Sequence, residues 1–131
     1  LGHKIQIIGD DLFTTNIKRI QYGVSQGACN SVLIKMNQIG SITETLDAIE
    51  CTKNAGYLPV VSARSGETED ATIVHLAIAT NAGQLKVGSI ARSERTVKWN
   101  EGIRMEQELH SMAEYPSGSI FERIKKSYTE V

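Results

Sequence analysis

Each of four short apolar runs in this sequence ends in residues that can do chemistry. Asp10 and Asp11 follow the first, Lys35 closes the second, Arg64 and Ser65 follow the third, and Lys86 lies in the fourth. A carboxylate can ligate a divalent cation, and an Arg with a Ser can hold a phosphate or a carboxylate. Lysines brought near one another and near a cation are candidates for a general base. Singly, each residue has a plainer use. An Asp after a strand caps the next helix, a Lys at a strand end reaches along its stem to solvent, and Ser65-Gly66-Glu67-Thr68 makes an ordinary turn into a helix. Taken together, the set predicts a site for a small phosphorylated or carboxylated anion, with Mg²⁺ as the candidate cation.

Delivering these groups to one rim requires a parallel α/β sheet, because such sheets bind ligands at the carboxyl ends of their strands. The runs Ile5-Gln6-Ile7-Ile8, Val32-Leu33-Ile34-Lys35, Pro59-Val60-Val61-Ser62 and Gln84-Leu85-Lys86-Val87 begin at intervals of roughly 25 to 28 residues, the length a βα unit needs. They are nearly continuously apolar, as strands covered on both faces should be. Helical segments follow each. Asn16 is placed to cap the first, with Ile17, Ile20 and Val24 inward and Gly27 past its end. Ser41-Ile42-Thr43-Glu44 is a capping box opening the second, whose apolar stripe reads Ile42, Leu46 and Ile49. The third is predicted from about Thr68 to Ala82 with Ile73, Leu76 and Ala77 inward, and the last from Ser93 or Glu94 to about His110. Gly102 within that last helix is a local weakness. Residues 116–131 are mixed and basic and receive no element.

Four consecutive βα units define an α/β fold with a parallel sheet and right-handed crossovers. Two architectures fit: an open doubly wound sheet, complete by itself, or half of an eight-stranded barrel, whose full form needs about 250 residues. A half-barrel leaves two unpaired sheet edges.

Composition narrows the function. A chain of 131 residues with a formal net charge of −1 lacks the clustered positive excess that nucleic-acid binding needs. No apolar run approaches the roughly 20 residues that span a bilayer, so no membrane partner is expected. Cys29 and Cys51 stand in unrelated contexts without CxxC spacing, which reads as reduced thiols of a cytoplasmic protein.

The same residues sit inside longer strings. IIGDDLFTTN, LIKMNQIGSITET, VVSARSGETEDATI and GQLKVGSIARSER resemble, in order and spacing, motifs of the enolase (phosphopyruvate hydratase) family, from Leu1 to about Leu109. The resemblance implies that residues 1–115 are the C-terminal half of a TIM-type barrel domain, followed by a tail over 116–131. It further implies a Mg²⁺-dependent lyase of glycolysis that interconverts 2-phosphoglycerate and phosphoenolpyruvate, and a homodimer in the full-length form. By that resemblance Asp10 is a carboxylate ligand of the metal, and Lys35 is the base that takes the proton from carbon 2. Ser62, Arg64 and Ser65 bind the substrate, Arg64 and Ser65 on its phosphate, and Lys86 contacts its carboxylate as a second catalytic lysine. Abstraction next to a carboxylate builds up negative charge that metal and lysine stabilise.

Departures from the family pattern bear on that reading. Ala63 stands where the family has His, so the contribution of an imidazole is absent. Gly102 and Ile103 replace a leucine pair, His75 stands for an Asp, and Val87 for a Thr. The further carboxylate ligands and the glutamates that act on the leaving hydroxyl belong to the first half of such a barrel. The chain is therefore expected to act only with that half; the alternative is a non-catalytic, truncated enolase relative serving as a binding or interaction module.

Overall fold

The computed structural model describes residues 1–122 and 124. Strands β1 (Ile8–Gly9), β2 (Ser31–Lys35), β3 (Leu58–Ser62) and β4 (Leu85–Lys86) alternate with helices α1 (Ile17–Ser25), α2 (Met36–Ile39), α3 (Ile42–Asn54), α4 (Thr72–Ala79) and α5 (Ser93–Leu109). All strand pairs are parallel, and the sheet order is β1-β2-β3-β4. That order decides between the two architectures. A doubly wound sheet reverses its strand order at a switch point, whereas sequential order with right-handed crossovers keeps the helices on one face, as in a barrel. Among the described residues β1 pairs only with β2 and β4 only with β3, so both edges are open.

Val32, Ile34 and Val61 form the helix-facing layer with Ile20, Ala48, Ile49, Ile73, Leu76 and Ala77. Leu33 and Val60 alternate with that set along their strands and so project from the opposite face; both are buried. Phe13 joins the helix-facing layer fully buried, in a seat made by two glycines. A Cβ on Gly9 of β1 or on Gly23 of α1 would collide with its ring.

Local signals set most element ends. The Asn16 side chain accepts from Arg19 N at 3.2 Å and opens α1. Ser41 Oγ accepts from Glu44 N at 3.3 Å and donates to the Glu44 carboxylate at 2.7 Å, starting α3. The inward face of α3 differs from the predicted stripe. Thr45, Ala48, Ile49 and Thr52 are buried, while Ile42 and Leu46 are exposed. Small side chains let the helix approach the sheet closely, and the two threonine hydroxyls are satisfied by the Ser41 and Ala48 carbonyls at 2.6 and 2.7 Å. β1 is also shorter than its apolar run. Before it the chain turns to the Asn30 side chain, which accepts from Ile7 N at 2.7 Å and donates to the Ile5 and Gly2 carbonyls, while the Gln6 side chain donates to Ser31 Oγ at 2.8 Å. Helix α4 starts later than predicted because Asp70 Oδ1 takes up the Thr72 amide at 2.8 Å, leaving residues before it as loop. Of the tail over 116–131, a 3₁₀ turn at Ser117–Phe121 is formed, and Ile120 reaches the surface of Gly83; residue 123 and residues 125–131 lie outside the described residues. No helix among the described residues is long and apolar enough to cross a membrane.

Candidate functional site

The carboxyl ends of the strands open into a cleft of about 450 Å³. Asp10, Lys35, Arg64, Ser65 and Lys86 all line it, joined by Asp11, Ala63, Glu67, Arg92, Glu94, Arg95 and Lys98. Ser62 is the predicted residue that does not. It is 1% exposed, and its hydroxyl donates to the Lys86 carbonyl at 2.9 Å, tying β3 to β4 behind the cleft.

The position of Lys35 is fixed from below. Its backbone N–H donates to Thr15 Oγ1 at 2.9 Å, and that hydroxyl donates to Gln38 Oε1 at 3.0 Å. Thr15 is fully buried at a positive φ of 55°, an uncommon conformation for a β-branched residue. At the tip, Lys35 Nζ lies 2.6 Å from Asp10 Oδ1. That contact is Coulombic, since Oδ1 is buried yet makes no well-directed hydrogen bond.

Across the cleft, the 63–68 loop is held by its neighbours. Arg64 N donates to Asn37 Oδ1 at 3.0 Å, and Asn37 Nδ2 donates to Glu67 Oε1 at 2.8 Å. Glu67 Oε2 in turn pairs with Lys98 Nζ at 3.0 Å. Just behind, hydrogen bonds from Thr72 hold the Asp70 carboxyl below the usual carboxylate range.

Charge in the cleft is unevenly matched. Lys35 pairs with Asp10, Arg92 with Glu94 at 3.6 Å, and Lys98 with Glu67. Arg64, Lys86 and Arg95 have no ion-pair partner among the described residues. Asp11 is unpaired as well, so six cations face four carboxylates around one opening. That positive excess attracts an anion, and a guanidinium offers the fork geometry that suits phosphate or carboxylate.

The residues that the sequence reading missed are Asn37, Glu67, Arg92, Glu94, Arg95 and Lys98. Lys98 had a legible signal, since it follows Glu94 by four residues and so shares a helix face with a cleft residue. Asn37 and Glu67 had none, because their pairing spans two loops.

A fold of sequential parallel strands with a charged rim is the architecture of a barrel enzyme's catalytic face. The enolase C-terminal TIM barrel domain matches residues 1–124. The chain is also 74% identical over 121 residues to Enolase 1 of Desulfitobacterium hafniense (strain Y51), an alignment covering 92% of this chain and 28% of that protein. This chain belongs to the enolase family and forms part of its C-terminal barrel domain. It spans a little over a quarter of the length of that relative.

Proposed function

We propose that the chain supplies the proton-abstracting lysine and the phosphate grip of an enolase, catalysing the reversible dehydration of 2-phosphoglycerate to phosphoenolpyruvate together with the remaining part of the barrel. The observation that carries this is the cleft itself, in which unpaired Arg64 and Lys86 share one rim with Lys35, on its β3–β4 side. In this reading the Arg64 guanidinium and the Ser65 hydroxyl hold the substrate phosphate. Lys86 faces the carboxylate, where negative charge accumulates as Lys35 takes the proton from carbon 2. The hydroxyl of Ser62, engaged with the Lys86 carbonyl, serves by fixing the strand that carries Lys86.

Mg²⁺ fits this site only in part. Asp10 Oδ1 makes no well-directed hydrogen bond, but it lies 2.6 Å from Lys35 Nζ, so a metal cation would take this oxygen in place of that ammonium. No group of three or more His, Cys, Asp or Glu side chains able to hold a metal occurs among the described residues, whereas Mg²⁺ takes about six oxygens. Asp10 is thus one ligand, and the other protein donors come from the upstream barrel. When bound, the ion supplies positive charge beside the substrate carboxylate. The working form is a homodimer of the full-length protein, as the family reading implies.

Ala63 favours a second reading. It lines the cleft where the family has an imidazole, which suits a non-catalytic relative that binds an anion without turning it over. One assay separates the two: absorbance of phosphoenolpyruvate from 2-phosphoglycerate and Mg²⁺, with the chain mixed with an upstream enolase half. Turnover in the mixture that Lys35→Ala abolishes supports the lyase. An assembled but inactive mixture supports the binding relative.

A further inference from the structure

Lys98 is the most buried charged side chain in the described residues, at 2% exposure, and the proposed reaction gives it no part. An ammonium carries three donors, and all three are used. Nζ donates to the Thr68 carbonyl at 2.9 Å and to the Glu94 carbonyl at 2.8 Å, and it pairs with Glu67 Oε2 at 3.0 Å. Burying a charge is tolerated only when it is so satisfied. The partners are not scattered. Glu94 belongs to the first turn of α5, while Glu67 and Thr68 belong to the loop that follows β3. The second oxygen of Glu67 accepts from Asn37, and Asn37 accepts from the Arg64 amide. Asn37 itself stands two residues beyond Lys35, in α2.

We infer that Lys98, Glu67 and Asn37 form a positioning network that holds the anion-binding loop, and with it the Arg64 guanidinium, at a fixed place relative to Lys35. The inference rests on the anion-site reading of Arg64 and Ser65. Loops before helices are the mobile parts of α/β rims, and this one has glycine at 66 with φ 84°. A buried ammonium clamps the far end of that loop to α5, and the carboxylate and amide transmit the clamp to the backbone at Arg64. None of the three residues needs to touch the anion. Their effect is to reduce the conformational freedom lost when Arg64 binds it.

The test uses the full chain with inorganic phosphate as probe, read by titration of backbone amide resonances, and amide hydrogen exchange at Arg64 in the free protein. Lys98→Met keeps an unbranched chain of similar length without the charge. Asn37→Ala, at an exposed position, cuts the last link and keeps the fold should Lys98→Met fail to do so. Each variant is expected to weaken phosphate binding by about tenfold, the size of having to order about one more loop residue on binding, and to accelerate exchange at Arg64. The double variant should lose little more than either single one, because the residues act in series. Glu67→Gln, which still accepts from Asn37, should retain part of the affinity. A merely structural role would lower the unfolding midpoint and leave the phosphate affinity of the folded protein unchanged. Wild-type affinity and unchanged Arg64 exchange in both variants would overturn the network, with Arg64→Ala still abolishing phosphate binding and so keeping the anion site. Failure of the wild-type chain to bind phosphate at all would overturn the anion-site reading and the network's role in it.

Discussion

Replacing Thr15 with Val isolates what holds the Lys35 backbone in place. The substitution keeps the volume and the β-branch, so the cost of the positive φ of 55° is the same in both proteins. What disappears is a hydroxyl that accepts from Lys35 N at 2.9 Å and donates to Gln38 Oε1 at 3.0 Å. The Lys35 amide bond is buried, and an unsatisfied buried donor costs about 1–3 kcal/mol. Gln38 is half-buried, so water restores most of its loss. The extra buried methyl returns up to about 0.8 kcal/mol, giving a net destabilisation of about 1–2 kcal/mol. Thr15→Ser is the control, because it keeps both hydrogen bonds and loses only a methyl. That loss costs about 1 kcal/mol and is offset in part by relief at a backbone conformation that β-branched residues avoid. Urea unfolding followed by far-UV circular dichroism should therefore rank wild type, Thr15→Ser, Thr15→Val in falling stability with a constant m-value. Amide exchange at Lys35 should accelerate in the Val variant alone. A Val variant as stable as wild type, with the Ser variant weaker, would show that packing and not the hydrogen bond fixes this end of β2.

The same substitution at two glycines should act with opposite sign. Gly23→Ala gains about 1 kcal/mol of helix propensity but drives a Cβ into the Phe13 ring, at an overpacking cost of about 1–3 kcal/mol, so the urea midpoint should fall and Phe13→Leu should restore part of it. Gly102→Ala meets nothing within 4 Å and should raise the midpoint by about 1 kcal/mol of stability; equal shifts at the two sites would refute the seat described for Phe13. Acid stability should depend on Glu101 and Asp70. Hydrogen bonds from Arg104 hold the Glu101 carboxyl low, and those from Thr72 hold Asp70 low. A depressed folded pKa contributes stability above the unfolded value near about pH 4 and loses it as pH falls through the folded value. Glu101→Gln and Asp70→Asn should each flatten the fall in urea midpoint below about pH 4, and an unchanged slope in both would count against these bonds. Burial pushes the Cys29 and Cys51 thiols up, so both should react with iodoacetamide at about pH 8 more slowly in the folded chain than in urea; equal rates would contradict it.

Much of this fold was legible in local sequence, and the reasons are particular. Continuous apolar character marked β2 and β3 because both faces of those strands are covered. Caps at Asn16 and Ser41 are short-range hydrogen-bonding devices, so they appear in the sequence as residue types at fixed offsets. Helix α3 misled for a physical reason. The apolar stripe of Ile42 and Leu46 obeys helical spacing, but threonines whose hydroxyls bond their own helix can be buried cheaply, and the helix turned that smaller face inward. The short β1 reflects competition from the Asn30 side chain, which no periodicity records.

The candidate site divides in the same way. Strand-end placement of Asp10, Lys35, Arg64, Ser65 and Lys86 followed from sequence alone, because a parallel sheet sends the carboxyl ends of its strands to one rim. Which of those groups remain free to bind was decided by tertiary contacts: Lys35 meets Asp10, Ser62 turns to the Lys86 carbonyl, and Arg64 is left unpaired. Strand order was decided there too, since the hydrogen bonds between β1, β2, β3 and β4 join residues more than twenty positions apart. The buried Lys98 ties α5 to a loop thirty residues earlier. A sequence fixes what each residue can offer over a few neighbours, while pairing between distant loops depends on where the whole chain brings them.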